Sequence, residues 1–448
     1  MGETVAANAA AVGALGADVV VIGAGPAGAA TAITCARSGL SVIVCEKSAL
    51  WPRSKTCGDG LTPRAVRMFD RLGVPIPASW HRQVGGSSYG TSETPHPFPW
   101  ATDMPDMPAV SYAVPRALSD AALMATAVGL GVGFLTGAAV TSLVTDATGR
   151  AAGVHLADGR VVTGRVVVDA SGAVSRFGDR AGLPRRLGWP MAVAVRGYVA
   201  AAPGQGPDET LLHSWLAPRA AGGQRLTGYG WAFPLGGGLF NVGIGQLSTA
   251  PTFRRSDYRT ELRGFVEGLP ASWGLRWVEE PWLDAASGRL TARPVAEPAI
   301  RGAGLPMGFD RRVAYRRGLL LTGDAAGLVN PWNGEGVSYA LESGELAGQA
   351  ILAASRATGS GSSAAAESAL QGYHHALKRS LGDYYATGRA FARLVGHPGL
   401  VEFGLRHILP RAAAMAPVDK MMSNLYPAHG GGPLDRTLRG IEHVVGAL

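Results

Sequence analysis

Residues 18–48, DVVVIGAGPAGAATAITCARSGLSVIVCEKS, open on a β-branched apolar run, pass through glycines into a small-residue stretch, and close on a second apolar run, SVIVCE. That pattern predicts strand, turn, helix and strand. A polar, proline-rich segment (89–110) follows, and then 112-YAVPRALSDAALMATAVGLGV-132 predicts a short strand and a helix with Arg116 at its mouth. Further strands are expected over 134–144, 151–172 and 191–200, with Asp158-Gly159 marking a hairpin. Residues 190–300 carry more Trp, Pro and broken strands and no second glycine triplet, which predicts a separate antiparallel lobe. Strand, turn and helix return in 318–351, and the tail from 362 reads as helical with a break at 397-HPG-399. No internal repeat is present.

Composition narrows the class of protein. The 448 residues are 47% hydrophobic and 17% charged, without an apolar run of eighteen, so the chain reads as globular and not membrane-spanning. The 64 glycines, about twice the usual ~7% share, cluster in short motifs and mark close backbone approaches. The net charge of +8 is carried mostly by arginine, because only Lys47, Lys55, Lys378 and Lys420 are lysine. No basic-aromatic stripe accompanies it, which argues against a nucleic-acid partner. Cys35, Cys45 and Cys57 form neither a disulfide framework nor a metal-ligand spacing, so no metal is expected and a reducing cytoplasm fits. Cys35 and Cys45 read as core residues. MGETVAANAAAVGALG lacks a basic n-region and carries Glu3, which predicts a flexible leader over 1–17 and not a signal peptide.

The chemistry begins at 23-GAGPAG-28. Gly23, Gly25 and Gly28 supply the tight turn, the approach of backbone to a pyrophosphate, and the helix-strand contact. The helix N-terminus faces the phosphates. Glu46, eighteen residues after Gly28 at the end of the second strand, can accept hydrogen bonds from a ribose.

Three separated segments, 23-GAGPAG-28, 169-DASGAVSR-176 and 323-GDAAGLVNPWNGEG-336, resemble flavoproteins of the para-hydroxybenzoate hydroxylase superfamily. Two more, 53-RSKTCGDGLTPRA-65 and 229-YGWAFPLGGGLFNVGIG-245, resemble signatures of the geranylgeranyl reductase family, with CGDGLTPRA, LPMG (305–308) and NPWNGEG closest in appearance to its actinobacterial menaquinone reductases. The resemblance implies an α/β fold with a Rossmann-like FAD-binding domain, an antiparallel β-sheet substrate domain and a helical C-terminal region. The expected division is 18–88, 111–189 and 301–360 for FAD, 89–110 and 190–300 for substrate, and 361–448 for the helical region.

By the same resemblance the cofactor is FAD, held by Gly23, Gly25, Ala27, Gly28, Glu46, Lys47, Arg116 and Val140 on the adenosine and phosphate side. Asp324 is expected at the ribityl hydroxyls, with Gly334, Gly336 and Val337 at the flavin pyrimidine edge. Cys57, Gly58 and Gly60 are expected beside the ring. Asp169 matches the acid of a second fingerprint, or simply forms a turn.

Tyr229, Trp231 and Phe233 alternate along a strand and would share one face, with Pro234 completing the signature. Such a wall suits an isoprenoid chain, which offers only dispersion and burial; the same residues also suit a core between lobes. The activity implied is saturation of an isoprenoid double bond, most simply in the menaquinone side chain. Geranylgeranyl diphosphate, its lipids or a prenylated metabolite are the other substrates. Cys57 is the candidate proton donor: Arg53 and Lys55 would lower its pKa if they faced it, yet a small thiol also simply fits against a flat ring. The reductant is NAD(P)H or an external ferredoxin-like carrier. A flavin-dependent monooxygenase and a non-catalytic prenyl-lipid carrier share the motifs, whereas halogenation lacks a lysine between Lys55 and Lys378. The Arg-, Phe- and Met-bearing tail 388–425 reads as a helical cap or as a surface for peripheral contact with the inner face of the cell membrane.

Overall fold

The architecture was analysed in a computed structural model, which describes residues 15–447 except 91–93, 101–103, 105, 220, 224, 428 and 429, and leaves the side chains of residues 221 and 412 undescribed. Most of the expected leader lies outside the described residues. Its last three residues do not: Leu15–Ile22 is one continuous strand, paired in parallel with Val161–Asp169 on one side and Val42–Cys45 on the other. Val19, Val20 and Val21 are fully buried, as a run covered on both faces of a parallel sheet requires.

This first sheet runs, by neighbour, 315–316, 319–321, 161–169, 15–22, 42–45 and 133–135, with the hairpin strands 140–145 and 151–156 attached to 161–169. Gly159, at φ +89, turns the expected Asp158-Gly159 hairpin between 151–156 and 161–169. The helix Pro26–Ala36 packs between this sheet and the long helix Val337–Gly359, and two further glycines make the contact close. A Cβ on Gly344 would lie 2.3 Å from the Ala27 carbonyl oxygen, and one on Gly348 2.6 Å from the Thr34 side chain.

The second sheet is ordered 276–278, 191–200, 239–247, 228–236, 211–216, 85–89 and 96–99, with 301–306 also paired to 191–200. It is antiparallel except where 211–216 runs parallel to 85–89. Its membership moves two expected domain boundaries. Residues 85–88 and Arg301–Pro306, assigned from sequence to the FAD domain, are hydrogen-bonded into this second sheet together with Tyr89. Neither strand has a composition that says which sheet it joins; long-range pairing decides it.

The C-terminal part is helical, as expected: Ser363–Leu394, Pro398–His407, Ala412–Ser423 and Pro433–Ala447. The break at 397-HPG-399 places Pro398 in the first turn of a new helix, where its missing N–H costs nothing. Tyr373, Tyr384 and Tyr385 anchor the longest of these helices by hydrogen bonds to the carbonyls of Leu321, Met421 and Leu328.

Candidate active site

The glycine motif forms a cradle for anions. Gly23 sits at φ +100, and a Cβ on Gly28 would lie 2.0 Å from the Gly23 carbonyl oxygen, so only glycine closes this turn. Gly25 precedes the helix Pro26–Ala36 with no side-chain cap, leaving its first-turn N–H groups free. Two guanidinium groups converge there: a Cβ on Gly25 would lie 3.7 Å from Arg53 Nη2 and 4.0 Å from Arg116 Nη2. Arg116 is held by Asp120 through bonds of 2.8 and 2.9 Å, and Arg53 lies 3.4 Å from Glu46 and 3.6 Å from Asp120. Glu46 also accepts from the N–H groups of Ala24 (3.1 Å) and Ser48 (3.0 Å), which fixes its carboxylate at the strand end.

Facing this cradle, Asp324 lies in the short turn Gly323–Ala326, and a Cβ on Gly336 would stand 3.4 Å from its Oδ1. The helix Val337–Gly359 begins at Gly336, again without a side-chain cap. Two uncapped helix N-termini, a guanidinium pair, the fixed carboxylate of Glu46 and the carboxyl group of Asp324 suit the pyrophosphate, hydroxyls and pyrimidine edge of FAD. Gly25, Ala27, Arg116, Asp324, Gly334, Gly336 and Val337 all border one cavity of about 330 Å³. Gly23, Gly28, Glu46, Lys47 and Val140 do not: the two glycines close the turn, Glu46 is buried against Arg53, Lys47 is exposed after the second strand, and Val140 starts an edge strand opposite Leu156. Asp169 is a turn former, accepting from Ser171 N–H and from the hydroxyls of Ser171 and Ser175.

The loop carrying Cys57 closes the far side of the same cavity. A Cβ on Gly58 would lie 3.3 Å from Trp231 Nε1, and one on Gly60 3.3 Å from Phe233 Cε2, so the loop backbone lies flat on the aromatic strand. Tyr229, Trp231 and Phe233 share one face of Gly228–Gly236, with successive ring centroids 5.5 and 6.3 Å apart, and all three border the cavity. Pro234 does not; it is buried on the other side, where its carbonyl accepts from Gln83.

The cations around Cys57 are arranged differently from expectation. Arg53 is engaged by Glu46 and Asp120, and Lys55 faces Asp324. Arg116 is the guanidinium beside the thiol, and burial outweighs its pull and moves the Cys57 pKa up. The thiol therefore keeps its proton at neutral pH. Burial also lowers the Lys55 pKa, against the attraction of Asp324, and raises that of Asp324, against the pull of Lys55.

Behind the loop is a network that the motifs did not reveal. Asn241, fully buried, accepts from Trp231 Nε1 (2.8 Å) and donates to the Cys57 carbonyl (2.9 Å) and to Asp59 Oδ2 (2.8 Å). Asp59 sits at φ +64 and also accepts from Tyr198 Oη (2.7 Å) and Arg116 N (3.2 Å). Burial pushes its pKa up to about 6, with Arg196 opposing. Arg196, 1% exposed, stacks 4.4 Å over the Tyr198 ring and lies 3.3 Å from Glu280. The one visible hint was a lone arginine in the apolar strand MAVAVRGYVA.

Fold and site together define an FAD-dependent oxidoreductase with a para-hydroxybenzoate hydroxylase-type architecture. Residues 16–210 match the FAD binding domain family. The chain is 36% identical over 384 residues to a menaquinone reductase from Mycolicibacterium smegmatis, covering 84% of this chain and 83% of that one. It is 27% identical over 337 residues to digeranylgeranylglycerophospholipid reductase 1 from Methanococcoides burtonii, covering 74% and 73%. A geranylgeranyl bacteriochlorophyll reductase-like protein from Thermoplasma acidophilum shares the fold, with TM-score 0.70, 21% identity and coverage of 96% and 100%. The chain belongs to the geranylgeranyl reductase family, with the menaquinone reductases among its relatives.

Proposed function

We propose that this protein saturates an isoprenoid C=C bond of a prenyl lipid, and that the menaquinone side chain is its substrate. The observation that carries this reading is the apolar wall Tyr229-Trp231-Phe233 lying directly against the Cys57 loop in the cavity bordered by the FAD-binding residues. An isolated alkene has no polar handle, so the chain must hold it by burial and keep water out. FAD, when bound and reduced, would supply the hydride. The second carbon needs a proton, and we assign that role to Cys57, whose buried thiol stays protonated on the cavity wall. NAD(P)H or a ferredoxin-like carrier is the source of electrons. The similarity to a menaquinone reductase favours the quinone tail, while the archaeal relative supports a geranylgeranyl lipid as the second substrate.

The decisive experiment is anaerobic. Protein with chemically reduced FAD and menaquinone should yield, over many turnovers, a product two hydrogens heavier by mass spectrometry. A strict need for oxygen, with or without halide, would refute alkene reduction in favour of monooxygenation or of halogenation, for which Lys55 stands on the cavity wall. A single stoichiometric equivalent bound without turnover would leave only a lipid carrier.

The protein works at the inner face of the cell membrane as a peripheral, cytoplasmic enzyme. No helix among the described residues is long and apolar enough to cross a bilayer. Leu394, Leu400 and Phe403 are 55%, 50% and 56% exposed and lie beside the exposed Arg393 and Arg406, a mixture suited to an anionic lipid surface. Absence of binding to anionic liposomes at low salt would remove this assignment.

A further inference from the structure

A wall that keeps water from the alkene creates a second need: each turnover consumes a proton, and the acid that gives it must be reloaded from solvent. A polar seam runs from solvent to the cavity between the helices Pro63–Arg71 and Val337–Gly359. Arg64, Arg67 and Arg71 share one face of the first helix, and Ser338, Glu342 and Glu345 one face of the second, all at spacings of three and four residues. At the outer end Arg71 donates to Glu345 (2.9 Å); further in, Arg67 and Arg64 donate to the two oxygens of Glu342 (3.1 and 2.8 Å). Side-chain exposure falls along the row from 50% at Arg71 through 20% at Arg67 to 10% at Arg64. The inner end is Thr62 Oγ1, 2.7 Å from Glu335 Oε1, and both residues border the active-site cavity.

Apolar side chains would hold two helices together as well as these buried ion pairs do, so the polarity of the seam points to a use beyond stability. Four of its buried atoms, Arg67 Nε, Arg64 Nε, Ser338 Oγ and Glu335 Oε2, have no hydrogen-bond partner among the described residues. Atoms of this kind are the ones that ordered water bridges inside folded proteins. Glu335 is the titratable group where the seam meets the cavity. Burial raises its pKa, against Ser338, Thr62 and Arg64 facing its carboxyl, and Glu342 beyond Arg64 adds to the rise.

We infer that this seam is the proton inlet of the active site, and that Glu335 at its inner end is the acid that reloads the group donating to the alkene. This rests on the prenyl-reductase reading above. In the reloading step the O–H bond of Glu335 breaks and an S–H bond forms on the thiolate left at Cys57; the Glu335 carboxylate then takes a proton from solvent water, and nothing is oxidised or reduced. The test compares one turnover with many in FAD-loaded full-length protein under chemical reduction, with a prenylated naphthoquinone as substrate. Glu335→Gln keeps the size of the side chain and an acceptor for Thr62 but has no proton to give. A single turnover should stay within about twofold of wild type, because the donor starts loaded, while the steady-state rate falls about tenfold or more. The infrared band of a protonated carboxyl should be present in the wild type at neutral pH and lost in this variant; its absence from the wild type overturns the inlet. Ser338→Ala interrupts the seam away from the cavity wall and should show the same split, so it decides if Glu335→Gln does not hold FAD. Single-turnover and steady-state rates that are both unchanged, or that fall alike, in an FAD-loaded variant overturn the inlet and leave the function standing. A wild type that reduces no prenylated quinone overturns the function and the inlet with it.

Discussion

Replacing Asn241 by leucine tests whether the aromatic wall and the thiol loop act as one unit. The change removes three hydrogen bonds, to Trp231 Nε1, the Cys57 carbonyl and Asp59. Asp59 keeps Tyr198 Oη and Arg116 N–H, so two groups are left without this partner, the indole N–H and the Cys57 carbonyl. Each unsatisfied buried group costs about 1–3 kcal/mol. The leucine side chain, at a position with no exposure, returns about 1 kcal/mol through burial, so the net loss is about 1–5 kcal/mol. A loop freed to move by about 1 Å against the reacting alkene lowers kcat/KM on the order of 100-fold. FAD should stay bound, because the contacts of Glu46, Arg53 and Arg116 do not pass through Asn241. Urea denaturation, steady-state rates and flavin absorbance measure the three quantities. Stability within about 0.5 kcal/mol of wild type together with an unchanged rate would refute the clamp. Asn241→Asp sharpens the test: it restores the Trp231 acceptor but sets a carboxyl against Asp59, so the pair must share a proton. Its activity should recover towards acid pH and fall as pH rises.

Three further outcomes follow from the same geometry. Cys57→Ser should retain FAD and slow alkene reduction about 100-fold if the thiol gives the proton; an unchanged rate removes Cys57 from the chemistry. Gly243→Ala would set a Cβ 2.0 Å from Trp231 Cζ2, so the indole must shift at a cost of about 1–3 kcal/mol; KM for the prenyl substrate should rise while flavin absorbance is unchanged. Asp59 has a folded-state pKa of about 6 against the usual 3.8, so the folded protein holds the extra proton and this site loses stability as pH rises from about 4 to 6. Relative to wild type, Asp59→Asn should therefore gain about 1 kcal/mol in urea stability between about pH 5 and about pH 7.5, and a pH-independent difference would contradict the buried acid.

The features legible in the amino-acid order are those whose cause lies within a few residues. Gly23, Gly25 and Gly28 dictate a turn and an uncapped helix end wherever they follow a buried strand, and Tyr229, Trp231 and Phe233 fall on one face because strand side chains alternate. Gly334 and Gly336 likewise announced the second uncapped helix end on the cavity wall. Tertiary packing decided everything that depends on what lies opposite. Asn241 meets the Cys57 carbonyl across 184 residues of chain, and Tyr198 meets Asp59 across 139. Which cation reaches the thiol was not readable from 53-RSKTCGDG-60, because Arg53 and Lys55 turn to carboxylates brought in by other segments while Arg116 takes their place. Local order fixes backbone shape over a turn or two; desolvation and partner choice are properties of the assembled interior, and they set the state of Cys57 and Asp59.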